Sequence, residues 1–173
     1  MRVLIWITEG TWEGCIDAAR PIAPADSDIT ILHVTPADMS GAAHAAYAGM
    51  LGRSGSDIDP GETLARAASD ASAGLLAAAA ERLGRPATPT ARIGRIEREV
   101  VDAAAGADLL VVARDGDDAR LGPKSLGPPT RFVVDHAPCP VLLVWPRRTP
   151  DVGSIPPPPA HRRPDHPPRH RAH

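Results

Sequence analysis

Three short stretches of the chain are apolar at almost every position: RVLIWI at 2–7, LLVVA at 109–113 and VLLVW at 141–145. A strand with one face in water alternates apolar and polar residues, whereas a strand covered on both faces does not. Runs of this kind belong in a sheet sandwiched between helices. The intervening segments read as helices, and two further strand-like segments, DITILHV and TPTARIG, bring the count to five. Strands that alternate with helices predict an α/β fold: a doubly wound, five-stranded parallel sheet with helices on both faces and right-handed crossovers.

The helix signals are local. TWEGCIDAARPI offers Thr11 as an N-cap, Cys15, Ile16 and Ala19 as an apolar side, and Pro21 as a stop. Residues 36–61 are the least readable: AAHAAYAGML reads as a short helix and GRSGSDIDPG as a loop. Asp59, Pro60 and Glu62 then fit the N-cap, first and third positions of a long helix that ends at Gly84. Leu64, Ala67, Ala71, Leu75, Ala78 and Leu83 recur near helical period as its buried row. Pro89 confines TPTARIG to an edge or a strand start. Ile96, Val100, Val101 and Ala104 form the apolar face of the next helix, and Glu97 and Glu99 with Arg95 and Arg98 its solvated face. PPTRFVVDHA is the last helix.

Aromatic residues make up 3% of the chain, so the core must be built from Val, Ile, Leu and Ala. From Arg147 the composition turns Pro-, Arg- and His-rich, with little to bury. The expected organisation is a domain over 1–146 and a disordered tail over 147–173. The tail carries +4 and the domain −6. An acidic domain is a poor wrapper of nucleic acid, so no nucleic-acid partner is expected. No run reaches the ~20 apolar residues of a membrane span, and none is expected to contact a membrane. Met1–Trp6 reads as a first strand rather than a signal peptide. Two widely separated cysteines, Cys15 and Cys139, read as free thiols in a reducing, cytoplasmic setting. His161, His166, His170 and His173 read as part of a polar tail rather than a metal site.

Together, HAPCPVLLV (136–144), ARIGRIEREVVDAA (91–104) and ITEGTWEG (7–14) resemble segments of the universal stress protein family. The resemblance covers Met1 to Pro146, and HAPCPVLLV is its most specific part. It implies strand order 3-2-1-4-5, a cytoplasmic protein, a homodimer paired through the last strand (Val141, Leu142, Leu143, Val144 and Trp145), and in some members an adenine-nucleotide site. An apolar edge strand left unpaired invites aggregation, which makes that pairing physically sensible.

Nucleotide-binding members of that family carry Gly-x-x-Gly, nine residues, then Gly-Ser/Thr. The matching stretch here is ARDGDDARLGPKSLGPPT, after Val112. Ala113 stands at the first glycine, Gly116 at the second, and ten residues separate Gly116 from Gly127. Pro128 takes the hydroxyl position, Pro129 follows, and Thr130 matches a later hydroxyl. At the first strand Thr8 precedes Glu9, which replaces the Asp that contacts sugar or base. Val34 keeps an adenine-contact position. Arg114, Arg120 and Lys124 are candidate counter-charges to the nearby aspartates.

Proline has no N–H, so Pro128 and Pro129 remove two donors from a helix start that would otherwise favour an anion. Asp115, Asp117 and Asp118 add negative charge, and Ala113 adds a methyl group. The scaffold is that of a phosphate site with eroded chemistry, so ATP or AMP is expected to bind weakly or not at all. The Thr130 N–H and hydroxyl remain as expected donors.

Catalysis is not expected. Gly-x-Gly-x-x-Gly and the phosphate-loop pattern ending in Gly-Lys-Ser/Thr are missing, as are the Ser-Gly-Gly-x-Asp-Ser and His-x-Gly-His motifs of nucleotidyl-transfer enzymes of similar fold. His136 near Cys139 reads as a helix C-terminal histidine and a small buried thiol. The function implied is a stress-response regulator acting through protein contacts and tuned by a weakly bound adenine nucleotide. The alternatives are a true ATP-binding member with slow or no hydrolysis, and a ligand-free dimeric scaffold whose tail recruits a partner.

Overall fold

The computed structural model describes residues 1–37, 60–155 and 157. The helix and loop expected within 38–59, the Asp59 cap, and the tail beyond Pro157 lie outside them. Five strands form one all-parallel sheet: β1 (Arg2–Trp6), β2 (Asp28–Pro36), β3 (Thr88–Gly94), β4 (Leu109–Ala113) and β5 (Val141–Val144). Their spatial order is β3-β2-β1-β4-β5, as expected. The helices are α1 (Trp12–Ile22), α2 (Pro60–Leu83), α3 (Ile96–Ala103) and α4 (Pro128–His136).

The unbroken apolar runs divide by parity between two cores. Val3, Ile5 and Ile7 of the first run, with Val111 of β4, pack beside Cys15, Ile16 and Ala19 of α1 and Leu76, Ala79 and Leu83 of α2. Leu4, Trp6, Leu110 and Val112 pack on the other face beside Val100 of α3 and Val133 of α4. Both faces of β1 are therefore covered, which fixes it at the sheet centre.

Four local readings change. Thr11 occupies the N-cap position, but its hydroxyl caps nothing and instead pairs with the Thr8 hydroxyl at 2.6 Å. Pro21 lies inside the last turn of α1 rather than stopping it; the ladder closes beyond it with Ala23 N–H on Ala19 O at 2.9 Å. The buried row of α2 is Ser72, Leu76, Ala79 and Leu83, one position round from the expected row, and Leu64 is 40% exposed. On α3, Glu97 and Glu99 are not simply solvated: Glu97 pairs with Arg95, and Glu99 with Arg92 of β3. The carboxyl of Glu97 is held below the ordinary range, first by its own backbone N–H and then by Arg95.

Candidate functional site: a cleft at the strand ends

In an open parallel sheet the ligand position lies outside the C-terminal strand ends where strand order reverses. Here β1 pairs with both β2 and β4, so the chain leaving β1 meets the ends of both. Two strand spacings, about 10 Å, separate the ends of β2 and β4. The β1–α1 connection turns through Thr8, Glu9 and Gly10, with Thr8 O accepting the N–H groups of Thr11 and Trp12.

On the β2 side a cavity of about 310 Å³ opens between β2 and α2, lined by Glu9, His33, Val34, Thr35, Ala68 and Ser72 among others. Its size lies at the low end of small-ligand sites, about 300–1,000 Å³. Glu9 and Val34, expected at the sugar and base, are both in it. His33, Thr35 and Ser72 were not anticipated. Nδ1 of His33 lies 2.8 Å from the Ser72 hydroxyl, and Ser72 is 4% exposed. Burial holds the His33 imidazole below its ordinary range, while the Glu9 carboxylate acts in the opposite direction. Burial thus favours the neutral form of His33, and one ring nitrogen is engaged by Ser72. The sequence signal for this pair was a serine in the buried row of an alanine-rich helix.

The β4 side is filled by the protein's own groups. Val112 and Ala113 are buried. The loop after β4 folds back on itself: Gly116 N–H donates to Ser125 O at 3.0 Å and Asp117 N–H to Lys124 O at 2.9 Å. A Cβ at position 116 would lie 2.3 Å from Lys124 O, so this close approach needs glycine. The Asp115 carboxylate accepts the Gly127 N–H at 2.7 Å, directly before α4. Pro128 and Pro129 open α4 without donors. Thr130 is 1% exposed, so its expected open hydroxyl is instead buried.

Three arginines at this loop are also engaged. The Arg114 guanidinium bonds the Ser125 hydroxyl and lies 4.7 Å from the Trp145 ring centre. Arg120 pairs with Asp117 at 3.1 Å, and Arg147 with Asp118 at 2.9 Å. The segment after Arg147 also meets the loop, where Leu121 N–H donates to the Ser154 hydroxyl at 2.9 Å.

His136 is engaged within its own helix. Nδ1 of His136 donates to Phe132 O at 2.9 Å and its ring stacks on Phe132. Burial, then the Asp108 carboxylate, raise the Cys139 thiol. Among the described residues no group of three or more His, Cys, Asp or Glu forms a metal cluster.

A family model for universal stress proteins matches residues 17–144. The chain belongs to the universal stress protein family. Solved structures agree at the level of fold. A universal stress protein in complex with cAMP is similar at TM-score 0.56 and 18% identity, covering 85% of this chain and 98% of that one. The universal stress protein of Archaeoglobus fulgidus in complex with dAMP gives 0.52 and 14%, over 83% and 97%. A universal stress protein family protein of Arabidopsis thaliana with AMP bound gives 0.53 and 16%, over 90% and 95%. Comparison with curated protein sequences finds no match. Among the described residues, no helix of this universal stress protein is long and apolar enough to cross a membrane.

Proposed function

We propose that this universal stress protein is a stress-response regulator whose output is protein–protein contact, tuned by an adenine compound bound weakly in the strand-end cleft. Family membership and the adenine nucleotides named for its structural relatives support the ligand class. The observation that carries the reading is the Asp115–Gly127 contact. Together with Pro128 and Pro129, it takes three backbone donors from the start of α4, where a triphosphate would be held. A cleft that grips the base end but not the phosphates is suited to sensing rather than hydrolysis.

Dimerisation through β5 belongs to the same proposal. Val141, Leu142, Leu143 and Trp145 are half-buried, Val144 is buried, and β5 is an edge of the sheet. A second copy pairing there would cover both the edge backbone and these side chains. A lysine at Leu143 places charge on that edge. The expected result is a dimer by sedimentation for the wild type and a shift to monomer for Leu143→Lys; a wild-type monomer contradicts this part.

Calorimetric titration with adenosine, AMP and ATP, with and without magnesium, tests the ligand class. Saturable binding of an adenine compound with no detectable ATP turnover supports the reading. Binding of none, after removal of any carried-over nucleotide, overturns it.

A further inference from the structure

The two halves of the cleft differ in what they leave available. At the β2 end a cavity is lined by the polar residues Glu9, Thr35 and His33, the last with Nδ1 engaged by Ser72. At the β4 end three backbone donors of the loop already have acceptors from the chain itself. Gly116 and Asp117 donate to Ser125 and Lys124, and Gly127 donates to Asp115. The Asp115 carboxylate sits against Gly127 so closely that a Cβ there would lie 2.8 Å from Oδ2.

An amide bound to a carboxylate cannot also serve a phosphate, and the carboxylate repels one. Like charges at about 4 Å oppose each other by several kcal/mol at an effective dielectric near 20. Of the neighbouring cations, Arg120 and Arg147 are already paired with Asp117 and Asp118, and Arg114 is engaged by the Ser125 hydroxyl and the Trp145 ring.

We propose that Asp115 is a specificity-determining residue: its carboxylate occupies the Gly127 amide and turns the cleft against phosphates, so the preferred ligand is an uncharged purine nucleoside rather than a nucleoside polyphosphate. The inference rests on the adenine-compound reading above and sharpens it. It reverses the usual weight of such a site, because affinity comes from the β2 cavity and each added phosphate weakens it.

The test is calorimetric titration of the full chain with adenosine, AMP and ATP. The wild type is expected to bind in that order of decreasing affinity. Asp115→Asn removes the charge at constant shape, and Asp115→Ala also frees the Gly127 N–H. Both are expected to tighten ATP about tenfold or more while moving adenosine by no more than about twofold. His33→Ala is expected to weaken adenosine, which locates the base end.

ATP binding the wild type more tightly than adenosine overturns the inference. So does an ATP-to-adenosine ratio that Asp115 substitution leaves unchanged while adenosine still binds; in that case the adenine reading stands and only the role of Asp115 fails. If no adenine compound binds wild type or variants, the adenine reading itself fails and takes this inference with it. Should a variant fail to fold, the wild-type order of the three ligands still decides.

Discussion

The imidazole of His33 on β2 and the hydroxyl of Ser72 on α2 lie 2.8 Å apart and join the central sheet to its longest helix at the mouth of the cleft. This bond explains why a serine stands in a row otherwise made of Leu76, Ala79 and Leu83. Ser72→Ala leaves a half-buried ring nitrogen without its partner. The expected cost is about 0.5–2 kcal/mol in urea unfolding at pH 7.5. An unchanged midpoint would show that water replaces the hydroxyl at no cost.

The same residue sets a pH dependence. Burial depresses the His33 imidazole in the folded protein relative to the unfolded chain. Between the two values the unfolded chain binds more protons, so stability rises with pH there. The His33 contribution is complete above the ordinary imidazole value of about 6.5 and is lost as pH falls toward the depressed folded value. Urea midpoints at pH 7.5 and 5.5 are expected to differ more for the wild type than for His33→Gln. Equal differences would remove His33 from the account.

The fold was legible because the unbroken apolar runs of β1, β4 and β5, alternating with helical patterns, mark strands of a parallel sheet packed between helices. The helix ends were less so. The alanine-rich stretch of α2 carries little contrast between faces, and a serine disguises the true buried row. Glu9 and Val34 of the cleft could be placed from the resemblance. The Asp115–Gly127 contact could not, because it joins residues twelve positions apart in a loop that closes through backbone bonds no side-chain pattern announces.

Two glycines in helices respond oppositely to alanine. A Cβ at Gly14 of α1 would lie 2.6 Å from the Pro146 Cα, a backbone atom that cannot rotate away. Gly14→Ala is expected to destabilise by about 1–3 kcal/mol despite alanine's better helix propensity. Gly74 of α2 has nothing within 4 Å of its Cβ position. Gly74→Ala is expected to stabilise by about 0.5–1 kcal/mol. Thermal unfolding of the pair checks both signs at once, and destabilisation at Gly74 would contradict the packing described for α2.

The two thiols differ in access. Cys15 is buried in one core and its thiol is pushed up to about 12 by burial, with the sulfur 3.5 Å from Trp6 O. Cys139 is only partly buried and packs against the opposite core. Alkylation of the native protein at pH 8 is expected to modify Cys139 first and Cys15 only after unfolding, as read by mass spectrometry. Equal native rates would contradict the packing of α1.

Restoring the eroded helix start tests whether the site's losses act together. Pro128→Ser returns an N–H and a hydroxyl, yet the Asp115 carboxylate still faces the phosphates. The single variant is expected to change ATP affinity by less than about threefold, and Pro128→Ser with Asp115→Asn by more than the product of the two single effects. Simple multiplication of the single effects would show that the two positions do not share one anion site.

The most direct test of the central claim is the backbone amide signal of Gly127 in a heteronuclear NMR spectrum of the full chain, followed during addition of adenosine and then of ATP. With the Asp115 carboxylate on that amide, adenosine is expected to shift the signals of Glu9, His33 and Val34, and ATP to leave Gly127 where it was. A Gly127 signal that moves and saturates with ATP would show phosphate reaching the α4 start and would contradict the account.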